Sequence, residues 1–461
     1  MQSSTIIRIE NLEIENIKNV GHGFVSLNEK EKDTMGASVT GIYGQNGSGK
    51  TALIWAVGLI KNALSGLPLP KDTGFYILQG ESNASIKAEF QIQINNVLYC
   101  VGYSLKLKKL ENNDFCIASE IVDYKTQGVW KTTILNIVTD DDALVLDKCL
   151  YGPEVRLKEL SINDKQIKQK LMVVQALSKD KKTSFFFNDN AMALFKGTSL
   201  NTIYYDILDA LTFYGRMNLF VLNKNSESSF NMQLLPLSMR FQSNNQIAKS
   251  DAIPVGLGQN NCDEASFDTI EKIVKQIDVL IGSIIPGLEI EIKRLNNQLN
   301  EKGELQIVFE LVSNRNGVIT PLRYESEGIK KILCILSSLI AMYNDQSIFV
   351  AIDEMDAGIF EYLLGEILSV ISQTGKGQLL FTSHNMRPLE VLDKSNIYFT
   401  TTNPNNKYIQ FVGIKQNNNL RDTLLRTIDL GGQKESVYEN TSSYQIGKAF
   451  RKAGELSNVK I

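Results

Sequence analysis

Cysteine and histidine are scarce in this chain, and charge of either sign is nearly cancelled. The five cysteines (Cys100, Cys116, Cys149, Cys262 and Cys334) are scattered through 461 residues, odd in number and never paired at short spacing. That excludes a disulfide framework and a closely spaced zinc site, and reads as reduced core thiols of a cytoplasmic protein. Only two histidines occur, His22 and His384, so the position of each is informative. Forty-eight Lys and Arg against 51 Asp and Glu leave a formal net charge of −3. There is no global pull towards nucleic acid, and any contact with DNA has to be local. No apolar run approaches bilayer-spanning length, and the polar start Met1-Gln2-Ser3-Ser4 is not a signal peptide. No membrane partner is expected.

What is present is a glycine-rich octapeptide, Gly44-Gln45-Asn46-Gly47-Ser48-Gly49-Lys50-Thr51. It lies between an apolar run, Ala37-Ser38-Val39-Thr40-Gly41-Ile42-Tyr43, and a helical pattern, Ala52-Leu53-Ile54-Trp55-Ala56-Val57. Strand, glycine-rich loop and helix in that order are the context that gives a P-loop match its mechanism. The glycines let successive backbone N–H groups turn inward around phosphate oxygens, and the helix N-terminus adds its positive dipole end. Lys50 is expected on the β- and γ-phosphates and the Thr51 hydroxyl on Mg²⁺. The sequence therefore predicts a nucleoside triphosphate site.

Taken in order, residues 5–29 alternate apolar and polar and read as strands leading into the P-loop strand. Turn residues gather over Ser65–Gly74, and residues 84–138 alternate again, as an antiparallel β-lobe beside the main sheet. The character changes near residue 150. Glu154–Lys182 is lysine-rich with apolar positions at Ile167, Leu171 and Val174. Leu200–Tyr214 and Phe267–Ile284 are further amphipathic helices, with an Asn/Ser/Gln-rich stretch, Asn223–Ser250, read as loop between them. Heptads are not sustained, so a long coiled-coil arm is not expected. The division is 1–150 for the first half of the P-loop unit with its lobe, 151–287 for a mostly helical insertion, and 288–461 for the second half. Strands return at Leu288, and a helix follows from Ser326 to Tyr343. The tail carries a hairpin around Asn403–Asn406 and helices near Leu420–Ile428 and Tyr444–Ala453.

An apolar strand, Ile348-Phe349-Val350-Ala351-Ile352, ends in Asp353-Glu354 and supplies what phosphoryl transfer still lacks. Asp353 is expected to hold Mg²⁺ through water, and Glu354 to orient and deprotonate the attacking water. His384 follows the next buried strand, placed to hydrogen-bond the γ-phosphate. His22 has no such context. Ser326 caps the helix that carries Gly328 and offers a second anion site.

These pieces, Gly44–Thr51, Ser326-Glu327-Gly328, Ile352-Asp353-Glu354 with Asp356 and Ala357, and Ser383-His384-Asn385, resemble in that order the ABC-type ATPase heads of the SMC, RecF and OLD class. Leu12–Lys18 looks like that class's first strand, and the resemblance covers roughly 1–65 and 320–400. It implies an α/β fold, a mixed sheet with an antiparallel lobe, and ATP hydrolysed with Mg²⁺. It also implies two heads meeting head-to-tail, each ATP held by one P-loop and the partner copy's Ser326 and Gly328. Asp356–Gly358 would be the loop between the sites, and Gln79 is the candidate for the lobe glutamine near the metal. The signature departs from its Leu-Ser-Gly-Gly-Gln form, keeping Ser326 and the second glycine. The SMC coiled coil and the OLD nuclease domain are missing. What remains is similar to stand-alone ATPases of bacterial anti-phage operons, the ATPase subunit of PARIS-type systems among them.

Two functions compete. One is an ATPase sensor and scaffold that controls a separately encoded toxic effector, such as a nuclease, on a phage trigger. The other is a DNA-repair ATPase of RecF type, for which a basic surface is needed. The best stretch for that is Lys158, Lys165, Lys168, Lys170, Lys179, Lys181 and Lys182, interleaved with Glu159, Asp164 and Asp180. Acidic interruptions and few aromatics read better as a solvated helix face. That the chain is itself a nuclease finds no acidic cluster beyond Asp353-Glu354.

Overall fold

Apolar runs that lie hundreds of residues apart come together as one sheet in a computed structural model, which describes residues 5–27, 36–126, 131–136, 151–152, 166–196, 202–222, 234–237, 241–243, 246–248, 253–413 and 419–457. The central sheet takes Ser38–Tyr43 (β3), Leu219–Leu222 (β9), Phe349–Ile352 (β18), Gln378–Thr382 (β19), Ile397–Thr400 (β20) and Tyr408–Ile409 (β21) in the order β21-β20-β3-β19-β18-β9. All pairs are parallel except β20 with β21. Every residue of β3, β18, β19 and β20 is buried, the mark of a parallel sheet covered on both faces. Successive side chains of a strand point to opposite faces, and β18 divides accordingly. Phe349 and Ala351 enter one hydrophobic core, and Val350 and Ile352 enter the other.

The first core lies between the central sheet and a seven-stranded antiparallel sheet, the expected lobe. Its strands are Ile6–Ile17 (β1), Val20–Ser26 (β2), Asn83–Ile94 (β4), Val97–Lys109 (β5), Phe115–Lys125 (β6), Lys131–Asn136 (β7) and Tyr151–Gly152 (β8), ordered β2-β1-β4-β5-β6-β7-β8. In β4 half-buried and buried residues alternate along the whole strand, as one covered and one wet face require. So β1 and β2, expected to lead into the P-loop strand, belong to the lobe. The P-loop helix Lys50–Leu64 (α1) is buried in the same core, with Ile167–Lys181 (α2), Asp189–Lys196 (α3) and Thr202–Met217 (α4) packed around it.

Lobe and helices are fastened at Glu120, which is fully buried. Its carboxylate accepts from Tyr103 Oη at 2.6 Å, Ser184 Oγ at 2.5 Å and the Phe185 N–H at 2.7 Å. Burial pushes its carboxyl above the usual range, and the three donors oppose that. Glu120→Gln would turn an amide donor against one of these donors. It is expected to lower stability by about 1–3 kcal/mol, the cost of leaving buried polar groups unmade. Chemical denaturation of the two proteins measures it.

The second core is covered by Glu264–Ile284 (α5), Glu327–Asn344 (α6) and Glu361–Thr374 (α7). The α5 face is the one its spacing predicts: Phe267, Ile270, Ile273, Val274, Ile277 and Ile281 are all buried. It packs on Leu288–Leu299 (β15), which pairs with Leu305–Arg315 (β16); Gln259–Cys262 (β14) and Val318–Pro321 (β17) complete this third sheet. Within Asn223–Ser250, read as loop, the described pieces are short strands: Leu234–Leu237 (β10), which pairs with Ile253–Gly256 (β13), and the hairpin Phe241–Ser243 (β11) with Gln246–Ala248 (β12). The 151–287 segment thus supplies helices and also β9, an edge strand of the central sheet. Short helix Pro388–Val391 (α8), then Leu420–Leu430 (α9) and Ser443–Ser457 (α10), end the chain. Cys149, Glu154, Lys158, Glu159, Asp164 and Lys165 lie outside the described residues. Among the described residues no helix is long and apolar enough to cross a membrane. The fold class is the expected one, α/β with a mixed central sheet, an antiparallel lobe and added helices.

Candidate functional site

Because β3, β19 and β18 are neighbours and parallel, their carboxyl ends share one edge. Gly44–Thr51 leaves β3 there, Asp353-Glu354 leaves β18, and Ser383-His384 leaves β19. This is the edge at which open parallel sheets bind ligands. Residues more than 300 positions apart in sequence are in hydrogen-bond contact: Thr51 Oγ1 donates to Asp353 Oδ1 at 3.2 Å.

The loop owes its form to its glycines. A Cβ on Gly44 would stand 1.7 Å from Thr400 Oγ1, so no side chain fits. Thr400 Oγ1 instead donates to Ser48 Oγ at 2.6 Å, and Tyr408 Oη donates to the Gly49 carbonyl at 2.8 Å. Asn19, between β1 and β2, donates to the Gly47 carbonyl. Lys50 Nζ is folded onto the loop, donating to the carbonyls of Gly44 at 2.7 Å and Gln45 at 3.0 Å. The Gln45 side chain holds the tail backbone, accepting from the Glu439 N–H at 3.1 Å.

Asp353 is 3% exposed. Its N–H donates to the Leu222 carbonyl at 2.9 Å, so β9 helps to hold it. Its Oδ1 accepts from Thr51 and, at 2.7 Å, from Thr382 Oγ1. Its Oδ2 is buried with no hydrogen-bond partner among the described residues. A buried, unsatisfied carboxylate oxygen beside a threonine hydroxyl is the hard oxygen donor set that suits Mg²⁺. Thr51 and Asp353 therefore fit the metal expected of them. Glu354 is half-buried at φ +49°, a left-handed conformation that costs a non-glycine residue about 1–2 kcal/mol. Its N–H donates to Thr382 Oγ1 at 2.7 Å, so one threonine holds the Asp353 carboxylate and the Glu354 backbone.

Asp356 Oδ2 accepts from the N–H groups of His384 and Asn385, both at 3.1 Å, and ties the loop after Glu354 to the histidine loop. Burial first, then the Lys50 charge, lowers the His384 pKa. Ser326 caps α6 as expected, accepting from the Ile329 N–H at 3.4 Å. A Cβ on Gly328 would lie 2.2 Å from the Gly358 carbonyl oxygen. The start of α6 thus rests on the Asp356–Gly358 loop, backbone against backbone. Gln79 is exposed in a turn of the lobe, and no hydrogen bond or ion pair joins it to Thr51 or Asp353.

Sequence reasoning missed Thr382, Thr400, Tyr408 and Asn19. Of these only Thr382 carried a signal, in Thr382-Ser383-His384.

No protein-family model matches the chain, and no curated protein does. Solved structures similar to it include an SMC head bound to the C-winged helix domain of ScpA, at 12% identity and TM-score 0.44, covering 87% of this chain and 97% of that one. The SMC head domain from Thermotoga maritima is 11% identical at TM-score 0.35, covering 88% and 99%. The recombination mediator protein RecF with ATP is 13% identical at TM-score 0.35, covering 82% and 94%. At such values the function has to be argued from the geometry of the site.

Proposed function

We propose that this chain is a Mg²⁺-dependent ATPase whose nucleotide state is passed to a partner protein. The observation that carries it is the convergence of Lys50, Thr51, Asp353 and Glu354 at one sheet edge, with Asp353 keeping a buried oxygen unsatisfied. The P-loop N–H groups and Lys50 bind the phosphates of ATP, with Lys50 leaving the two loop carbonyls to do so. Thr51 and Asp353 would hold Mg²⁺, which neutralises phosphate charge when bound. Glu354 takes a proton from water as its oxygen bonds to the γ-phosphorus, and the bond to ADP breaks, giving ADP and phosphate. His384 donates a hydrogen bond to the γ-phosphate.

Ser326 and Gly328 close the site of a second copy in a head-to-tail dimer. Their placement on the Asp356–Gly358 loop, which also grips the His384 backbone, supports a link between the two sites. If the site is shared, Ser326→Arg and Lys50→Ala proteins are each inactive, and an equimolar mixture regains activity at the one intact composite site. ATPase assays of the mixture measure this, and a mixture no more active than its components rejects the shared site.

The output is proposed to be a separately encoded effector, in an anti-phage operon of the kind the sequence resembles. An amphipathic helix, α10, with Tyr444, Ile446 and Phe450 exposed, supports a protein partner. Co-purification with the operon neighbour, followed by toxicity with Glu354→Gln, tests it. A neighbour that never binds, or kills equally with the mutant, rejects it. The RecF-type alternative rests on the α2 lysines: Lys168, Lys170, Lys179 and Lys181 are exposed, and Lys182 is paired with Asp114. Salt-dependent binding to duplex DNA would favour it.

A further inference from the structure

Lys407, immediately before β21, is 5% exposed, and its ammonium makes no hydrogen bond or salt bridge among the described residues. A lysine buried to this degree ordinarily has a partner, because an unpaired buried charge costs several kcal/mol. Its backbone fixes where it points. The Lys407 N–H donates to the His22 carbonyl at 3.1 Å, and the next residue, Tyr408, holds the Gly49 carbonyl. The side chain runs along the P-loop: its Cε lies 3.1 Å from where a Cβ on Gly49 would stand, with Val20 and Asn19 beside it. Gly49 is the N-cap of α1. The end of a helix that carries partial positive charge repels a cation, so this is the wrong end for a lysine unless an anion shares the place. Burial lowers the Lys407 pKa, and the charge of exposed Glu439, on the tail that Gln45 holds, opposes that.

We infer that Lys407 is a second cation of the nucleotide site, binding a phosphate of the nucleoside di- or triphosphate held by the P-loop. This rests on the ATP-binding reading above and adds a residue that none of the sequence motifs contains.

The test measures MgATP and MgADP affinity and thermal stability in wild-type, Lys50→Ala, Lys407→Met, Lys407→Arg and Glu439→Gln proteins. Lys407→Met keeps the aliphatic length and removes the charge. The nucleotide-free Lys407→Met protein should melt at or above the wild-type temperature, since a buried cation without a partner is lost. Its nucleotide affinity should fall about 10- to 100-fold, the worth of one charge-assisted hydrogen bond to phosphate. Lys407→Arg should recover most of that, and Glu439→Gln should bind as tightly as wild type. Equal affinity of Lys407→Met and wild type, with Lys50→Ala binding far more weakly, overturns the inference and leaves the ATPase reading standing. A lower melting temperature of Lys407→Met, with unchanged affinity, would make Lys407 a structural residue and overturn it as well. Wild-type protein that binds neither nucleotide rejects the ATPase reading itself.

Discussion

The Glu354→Gln protein is expected to bind ATP as wild type does and to hydrolyse it about 10²–10⁴-fold more slowly, the usual worth of a positioned general base. Glutamine preserves the shape and the Glu354 N–H bond to Thr382, and removes only the group that accepts a proton. A companion variant separates chemistry from conformation. The left-handed backbone at position 354 disfavours every side chain and suits glycine. Glu354→Gly should therefore be as inactive as the glutamine variant, yet more stable than wild type by up to about 1 kcal/mol after the added freedom of its unfolded chain is counted. Single-turnover kinetics and denaturant titrations measure the two effects. Normal turnover in Glu354→Gln would remove the residue from the mechanism.

Lys50→Ala is expected to lower ATP affinity about 10²–10⁴-fold, the equivalent of losing one or two charge-assisted hydrogen bonds. The nucleotide-free protein should lose less, because Lys50 there gives up hydrogen bonds to loop carbonyls and no phosphate contact. Calorimetric titration with MgATP reads the affinity, and thermal melting without nucleotide reads the stability. Affinity unchanged by Lys50→Ala would mean that the loop backbone alone holds the phosphates, and the P-loop reading would need another cation.

Most of the site was legible because each of its parts is local. A P-loop is eight consecutive residues, and Asp353-Glu354 and His384 each follow a short run of wholly buried residues. What was not legible is held by contacts across the chain. Leu219–Leu222 is four residues long, too short to separate from the end of α4 by periodicity, yet its Leu222 carbonyl fixes the Asp353 backbone. The alternation in β1 and β2 announces strands correctly, but alternation says nothing about which sheet a strand joins. Thr400 and Tyr408 matter to the P-loop only through contacts spanning more than 350 positions, Thr400 with Ser48 and Tyr408 with Gly49. Gly44 could be predicted as a phosphate-loop glycine, but not as the residue on which Thr400 closes.

The strand order of the central sheet also governs when this protein can fold. The P-loop strand β3 is complete at Tyr43, but its two neighbours, β19 and β20, begin at Gln378 and Ile397. Translation runs at about 5–20 residues per second, so on the order of 20–70 seconds pass before either neighbour of β3 has been made. During that interval an apolar strand with two unpaired edges is exposed, the kind of template that pairs wrongly with other chains. The lobe can form meanwhile, since β1, β2, β4, β5 and β6 all lie within the first 125 residues and pair with one another. The nucleotide site is consequently among the last features to exist on a newly made chain, and any truncation before Gln378 leaves the P-loop strand without either of its neighbours in the sheet.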